Sequence, residues 1–138
     1  MQYTFSVEGG NFSKAGTASS EVKKILNQLN VDYKLIKRTV VALYEAEVNI
    51  VAHADKGVID VDIDTERIKI NLNDSGPGIP NIEKAMEVGF STASQQVRDM
   101  GFGAGMGLPN IKKNADIFYI SSEPGKGTSL EIIVFLKS

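Results

Sequence analysis

Three polar side chains recur at four-residue intervals in a largely apolar stretch of the chain: Glu45, Asn49 and His53. In an α-helix, residues four apart lie nearly above one another, so this spacing predicts one shared face. A carboxylate one turn from an amide oxygen suited to a hard cation can deprotonate a nucleophile beside a metal-bound phosphate. A solvated polar face gives the same pattern, and the stripe alone favours that simpler interpretation.

A second cluster, Asp74-Ser75-Gly76-Pro77-Gly78-Ile79-Pro80, follows an alternating strand pattern. Gly76 and Gly78 allow backbone conformations closed to other residues and let a flat ligand approach closely. Asp74 leaves the strand at the mouth of this turn, where its carboxylate can accept a hydrogen bond from an exocyclic amine such as that of adenine. An ordinary Asp-Gly-Pro turn is the alternative, and for the cluster alone it is the commoner explanation.

Glycine occupies every second position from Gly101 to Gly107, and a helical pattern follows at once from Leu108. Free amides ahead of a helix N-terminus, together with the helix dipole, form a cradle for phosphate. The motif lacks the Gly-Lys-Ser/Thr of a Walker P-loop and does not follow the first strand of a βαβ unit. A flexible structural loop is the alternative, but four regularly spaced glycines favour a functional loop because each adds entropy to the unfolded chain.

A last short motif, Gly125-Lys126-Gly127-Thr128, opens the final strand pattern. It fits a plain hairpin turn as well as it fits part of a binding site. Its interpretation therefore depends on what the other three motifs do.

The elements that position these motifs follow from hydrophobic periodicity. Strands are predicted at 3–7, 58–64, 67–74, 117–122 and 129–136, and helices at about 12–29, 32–54, 82–88 and 108–115. The strands alternate apolar and polar residues, as expected where one face is buried and the other wet. Residues 89–107 lack useful periodicity and are expected to form a loop. The pattern predicts an α+β fold: a two-layer α/β sandwich with helices on one face of a mixed, mostly antiparallel sheet.

Composition limits the classes of function. The 138 residues are 42% hydrophobic and 23% charged, which fits one soluble domain over residues 1–138. A formal charge of -2 gives no electrostatic footprint for nucleic acid or an anionic membrane, and the absence of cysteine excludes disulfides and a thiol nucleophile. No apolar run approaches the roughly 20 residues of a membrane span, and the first residues do not read as a signal peptide. A cytoplasmic protein is expected.

Taken together and in this order, the four motifs resemble the ATP-binding fold shared by gyrase, the heat-shock chaperones, histidine kinases and the MutL proteins (the Bergerat or GHKL fold). That family carries an N-box on a helix, a G1 box Asp-x-Gly-x-Gly, a glycine-rich G2 lid and a late Gly-Thr. Here these would be Glu45-x-x-x-Asn49, Asp74 to Gly78, Gly101 to Gly107, and Gly127-Thr128. The resemblance covers residues 3–136.

Within this superfamily the chain is similar to the small anti-sigma-factor and stressosome-switch serine-protein kinases. The similar stretches are Asp74 to Pro80, Gly89-Phe90-Ser91-Thr92, and Gly103 to Pro109. The resemblance implies that Glu45 is the general base and that Asn49 ligates Mg²⁺ on the ATP phosphates.

The resemblance also implies the remaining nucleotide contacts. Asp74 would bind the adenine amine, supported through water by Thr128, in a pocket shaped by Gly76 and Gly78. Contacts to the phosphates and the lid would come from Ser91, Thr92, Arg98, Gly101, Gly103, Ala104, Gly105, Met106, Gly107 and Leu108. His53 receives no chemical role. The stretch Ala93 to Phe102 is longer than in compact members, which leaves open how the lid closes.

By resemblance, the chain would be a Mg-ATP-dependent serine/threonine-protein kinase that phosphorylates a STAS-domain partner, either an anti-sigma antagonist or a stressosome component. A sigma factor or a phosphatase is a further expected partner, whereas direct contacts with nucleic acid or a membrane are not expected. The oligomeric state, a homodimer included, stays open. The alternative is a nucleotide-gated switch that sequesters or activates a regulatory partner without phosphorylating it.

Overall fold

The computed structural model describes residues 1–77, Met86 and residues 107–136. In this part of the chain five strands and three α-helices follow the predicted order. The strands are β1 (Gln2–Glu8), β2 (Lys56–Ile63), β3 (Arg67–Ser75), β4 (Ile117–Glu123) and β5 (Gly127–Phe135). The helices are α1 (Thr17–Gln28), α2 (Tyr33–His53) and α3 (Gly107–Asn114). The helix predicted over 82–88 lies outside the described residues except for Met86.

The five strands form one sheet in the order β1-β2-β3-β5-β4. Each of the four pairings between these described strands is antiparallel, so the mixed pairing allowed for by the sequence is not found among them. The last strand enters the sheet beside β3 rather than at its edge, with Asn73 opposite Ser129. The end of β3, which carries Asp74, therefore lies beside the beginning of β5.

The helices cover one face of this sheet. Alternate residues of β2 and β3, among them Ile59, Val61 and Ile70, are buried, while Asp60 and Asp62 on the opposite face are exposed. The apolar faces of α1 and α2 pack with these strand residues into one core. The two-layer α+β sandwich predicted from the alternating pattern is confirmed.

The first helix differs from its prediction. The pattern over 12–29 predicts one continuous helix, but the chain forms a single 3-10 turn (Phe12–Lys14) and begins α1 only at Thr17. The interruption is Gly16, which adopts a left-handed conformation with φ of 92°. The second helix starts as predicted after Asp32, whose carboxylate accepts the N–H of Lys34 at 2.8 Å.

The left-handed turn leaves α1 without a side-chain cap of its own, and Glu47 of α2 supplies one. Its side chain is buried, with 2% exposed. Its carboxylate accepts four hydrogen bonds, from the N–H groups of Gly16, Ala18 and Ser19 at 3.1 Å and from the Ser19 hydroxyl at 2.8 Å. A negative charge at a helix N-terminus is favoured by the helix dipole. Glu47 thus ties α1 to the middle of the helix that carries Glu45 and Asn49.

Replacing Glu47 with alanine is expected to lower the free energy of unfolding by about 3 kcal/mol, because several buried donors lose their acceptor at once. Chemical denaturation measures this change. The control is Glu21→Ala on the exposed face of α1, where the carboxylate only pairs with Lys24 at 3.5 Å; its effect should stay within about 0.5 kcal/mol. Equal effects of the two variants would contradict the capping role.

Candidate functional site

The site begins where α2 meets the first residue of α3. A Cβ atom added to Gly107 would lie 3.2 Å from Oδ1 of Asn49 and 3.6 Å from Oε2 of Glu45. Both side chains are half-buried, and Leu108 next to Gly107 is buried in the core. The structure therefore brings together the predicted N-box and the last residue of the predicted glycine lid. Because residue 107 is a glycine, no side chain stands between its backbone and the side-chain oxygens of Glu45 and Asn49.

Burial of Glu45 in this position raises the pKa of its carboxyl above the ordinary value of 4.5. A hydrogen bond from the side chain of Asn110, on the first turn of α3, acts in the opposite direction and lowers the pKa. The result is a carboxylate of increased basicity with one fixed donor, which is suited to accepting a proton.

Asp74 forms the second part of the site, at the end of β3. Its Oδ1 accepts the backbone N–H of Thr128 at 3.0 Å. Burial raises the pKa of Asp74, and the Thr128 N–H, by donating to the carboxylate, partly offsets this. The contact between Asp74 and Thr128 is thus direct and made through the backbone.

The Thr128 side chain is held by Ser122, a residue that the sequence did not single out. The two hydroxyl oxygens lie 3.0 Å apart, and the Ser122 hydroxyl also donates to the Gly127 carbonyl at 3.0 Å. Ser122 and Thr128 are opposite each other in the β4–β5 hairpin. The signal that could have found Ser122 is this register, which requires knowing where the Glu123 to Gly127 turn closes.

Two glycines allow the strand ends to approach α2 and each other. A Cβ on Gly76 would lie 2.9 Å from Cα of Ala54, directly after α2, and a Cβ on Gly127 would lie 2.0 Å from the carbonyl oxygen of Asp74. The turn between β4 and β5 is also fixed to the segment after β3, since Gly125 N–H donates to the Pro77 carbonyl at 2.8 Å. Asp74, Thr128 and the end of α2 therefore form one compact corner of the molecule.

His53 lies on the last turn of α2, one turn beyond Asn49. It is half-buried, and burial lowers the pKa of its imidazole, which keeps it neutral near pH 7. Its backbone carbonyl faces Gly76 at the close approach just described. His53 thus lies beside this close approach, and it is assigned no chemical role.

The described residues thus bring together Glu45, Asn49 and Gly107 at one point and Asp74, Gly76 and Thr128 at another, both at the C-terminal half of α2. Most of the predicted phosphate and lid contacts lie outside the described residues: Gly78, Ser91, Thr92, Arg98, Gly101, Gly103, Ala104, Gly105 and Met106. Their roles stay predictions.

The oxygen atoms beside Gly107 fit a hard divalent cation such as Mg²⁺. Within residues 1–77, 86 and 107–136, no three histidine, cysteine, aspartate or glutamate side chains form a metal-binding group. Mg²⁺ on a nucleotide needs no such group, because it is commonly held by one or two protein oxygens and the substrate phosphates. Asn49 offers one amide oxygen at the open position beside Gly107.

None of the helices in the described part of the chain is both long and apolar enough to cross a bilayer.

Comparison with known proteins adds three findings. Residues 35–138 match the family model of the histidine kinase-, DNA gyrase B- and HSP90-like ATPases. The serine/threonine-protein kinase RsbT of Bacillus subtilis (strain 168) is 38% identical over 104 residues, which cover 72% of each chain. The anti-sigma F factor of Thermoanaerobacter sp. (strain X514) is 31% identical over 146 residues, covering 100% of this chain and 99% of that protein.

A solved structure supports the same fold. The mycobacterial sensor histidine kinase MprB superposes with a TM-score of 0.55, and the match covers 98% of this chain and 97% of that one. At 16% sequence identity the likeness concerns the fold alone.

Proposed function

Because the chain belongs to the histidine kinase-, DNA gyrase B- and HSP90-like ATPase family, we propose that it transfers the γ-phosphoryl group of Mg-ATP to a serine or threonine of a STAS-type regulatory protein. Family membership confirms the resemblance drawn from the four motifs. The expected enzyme class, a serine/threonine-protein kinase of this ATP-binding type, is confirmed by the family match and the B. subtilis relative. One observation carries the proposal: Glu45 and Asn49 lie on the same face of α2, and both side chains approach Gly107, the first residue of α3.

Adenine binding is assigned to the Asp74 corner. A carboxylate that already accepts one N–H, from Thr128, keeps further lone pairs for the exocyclic amine of a purine. The burial that raises the pKa of Asp74 also excludes competing water and so strengthens a bond to the ligand. Gly76, two residues after this carboxylate, lets the end of β3 pack against Ala54, where a Cβ would lie only 2.9 Å from Cα of Ala54.

The phosphates are assigned to the opposite part of the site, where α3 begins. The N-terminal amides of α3 and its dipole favour an anion at this end, and Asn49 would hold the cation through its amide oxygen. When bound, Mg²⁺ neutralises charge on the phosphoryl oxygens. The protein itself contributes position and a base, which is most of what phosphoryl transfer requires.

Glu45 is assigned as that base. It accepts the proton of the attacking serine or threonine hydroxyl while the hydroxyl oxygen bonds to the γ-phosphorus. The bond from that phosphorus to the β–γ bridging oxygen breaks, and ADP leaves with the electron pair. A half-buried carboxylate with a raised pKa is a stronger base than one in water, which suits this step.

The expected partner is a STAS-domain anti-sigma antagonist or stressosome component, and the expected compartment is the cytoplasm. The second candidate function is a nucleotide-gated switch without phosphoryl transfer. The relatives named as anti-sigma F factors support a sigma factor as a partner, which fits the switch and the kinase alike. Such a protein would bind ATP in the same pocket to order its lid, and would sequester or activate a regulatory partner without turnover.

The test is phosphoryl transfer from γ-labelled ATP to a purified STAS-domain protein that is first identified by co-purification with this chain. Labelled serine or threonine on the partner is the expected result. ATP-dependent complex formation without label would contradict the kinase proposal and support the switch.

The adenine assignment predicts that Asp74→Asn weakens ATP binding about 10-fold to 100-fold, since a charge-assisted hydrogen bond of roughly 1.5–3 kcal/mol is lost. Isothermal titration calorimetry with a non-hydrolysable ATP analogue measures this change. Asp62→Asn makes the same chemical change on the exposed sheet face and should leave the affinity unaltered. Wild-type affinity in Asp74→Asn would show that adenine binds elsewhere.

A further inference from the structure

Asn110 lies on the first turn of α3, half-buried and directed toward α2. It follows Gly107 by three residues, so the two lie on the same side of the helix. Gly107 is the residue that abuts Glu45 and Asn49, and the Asn110 side chain makes a hydrogen bond to the Glu45 carboxyl. A side-chain amide of α3 thus meets the proposed base beside Gly107.

The helix that carries this amide is held firmly in place. Leu108 is 6% exposed and Ile111 is fully buried, so two apolar anchors flank Asn110. At the far end of α3, Arg38 of α2 donates through Nε to the Asn114 carbonyl at 3.1 Å and through Nη2 to Asp116 at 2.9 Å. The seam between α2 and α3 is therefore fixed at both ends, and the Asn110 amide has a defined position relative to Glu45.

We propose that Asn110 is a positioning residue for Glu45, whose carboxylate it orients for proton abstraction during phosphoryl transfer. The inference rests on the proposed kinase function, because an oriented base has a purpose only if transfer occurs. An amide N–H that donates to one carboxylate oxygen fixes the rotation of the group and leaves the second oxygen to accept the substrate proton. Partners that orient metal-ligating side chains change activity by about 10-fold to 100-fold when removed, and we expect an effect of the same order for a partner of the base.

A purely structural bond between α2 and α3 is the competing explanation, and kinetics separate the two. Asn110→Ala is expected to lower kcat about 10-fold, with the dissociation constant for ATP within about twofold of wild type. Asn110→Asp keeps the size of the side chain but places a second carboxylate against Glu45, and should lower kcat at least as far. In a Glu45→Gln background, Asn110→Ala should cause no further loss, because its target has already been removed.

The matched control is Lys112→Ala, on the exposed side of the same helix, which should keep wild-type kcat. A second measurement needs no nucleotide: the ¹³C shift of the Glu45 carboxyl, titrated with pH in the free protein. Loss of the Asn110 donor should raise the pKa of Glu45, because that bond lowers it.

The outcomes are distinct. If the wild type is active and Asn110→Ala has the same kcat, the positioning role is overturned. It is overturned as well if Asn110→Ala lowers kcat equally in the wild-type and in the Glu45→Gln background. An unchanged Glu45 titration in Asn110→Ala overturns it as well. Absence of transfer by wild type itself contradicts the proposed kinase function and, with it, any positioning for catalysis.

Discussion

Glu45→Gln is expected to lower kcat for transfer to the protein substrate about a thousandfold, within the range of roughly 10² to 10⁴ typical for a general base. Glutamine preserves the size of the side chain and its oxygen, but it cannot take up the proton of the attacking hydroxyl. ATP binding should change little, within about threefold, because the assigned nucleotide contacts lie on Asn49, Asp74 and the start of α3.

The same assignment predicts the pH dependence of transfer. The base works only when ionised, so kcat should fall as the pH drops through the pKa of Glu45. Burial raises that pKa, and the acid limb should therefore have its midpoint above 4.5, the ordinary value for glutamate. Initial rates of label transfer across the pH range of the folded protein measure this limb.

The control for both measurements is Glu8→Gln, the same replacement at an exposed position of β1. It should leave the rate and its pH profile unaltered. Undiminished transfer by Glu45→Gln would remove Glu45 from the chemistry, and the acid limb would then have to be assigned to another group.

Gly127→Ala is expected to lower the free energy of unfolding by about 3–5 kcal/mol. The added Cβ would lie 2.0 Å from the carbonyl oxygen of Asp74 and 3.0 Å from its carbonyl carbon, and the residue has a φ of 135°. Overpacking and backbone strain each cost about 1–3 kcal/mol. Because Asp74 must move to relieve the contact, ATP affinity should fall together with stability.

The turn itself supplies a matched comparison. Gly125 also has a positive φ, of 82°, but an added Cβ there would meet no heavy atom within 4 Å. Gly125→Ala should cost only the backbone strain, about 1–2 kcal/mol, and leave ATP affinity unchanged. Denaturation curves and ATP titrations of both variants measure the free energy of unfolding and the affinity for ATP. Similar decreases in the two variants would contradict the steric explanation.

The parts of the structure that could be predicted from the sequence depend on local patterns. Alternating β2 and β3, the cap at Asp32 and the shared face of Glu45 and Asn49 follow from periods of 2 and 3.6 and from capping chemistry. The pocket motifs could be found for a related reason, because glycines at fixed intervals mark backbone conformations or close approaches that other residues do not allow.

The missed features depend on contacts distant in sequence. Glu47 looks like an ordinary helical glutamate, yet its carboxylate caps a different helix, 28 to 31 positions earlier in the chain. Asn110 carries no signal in the sequence, because its hydrogen-bond partner Glu45 lies on another helix. Hydrophobic periodicity also does not report the left-handed turn at Gly16 that precedes α1. The single domain over residues 1–138 stays a prediction.

The insertion of β5 between β3 and β4 has a consequence for the order of events during synthesis. Asp74 and the Thr128 amide that holds it are 54 positions apart, and both neighbours of β5 are made before β5 itself. The nascent chain thus carries the N-box and the G1 box well before the adenine corner can close. Nucleotide binding should accordingly arise late on the ribosome, when β5 has emerged and joined the sheet. A nascent chain that stalls before that point should not bind ATP.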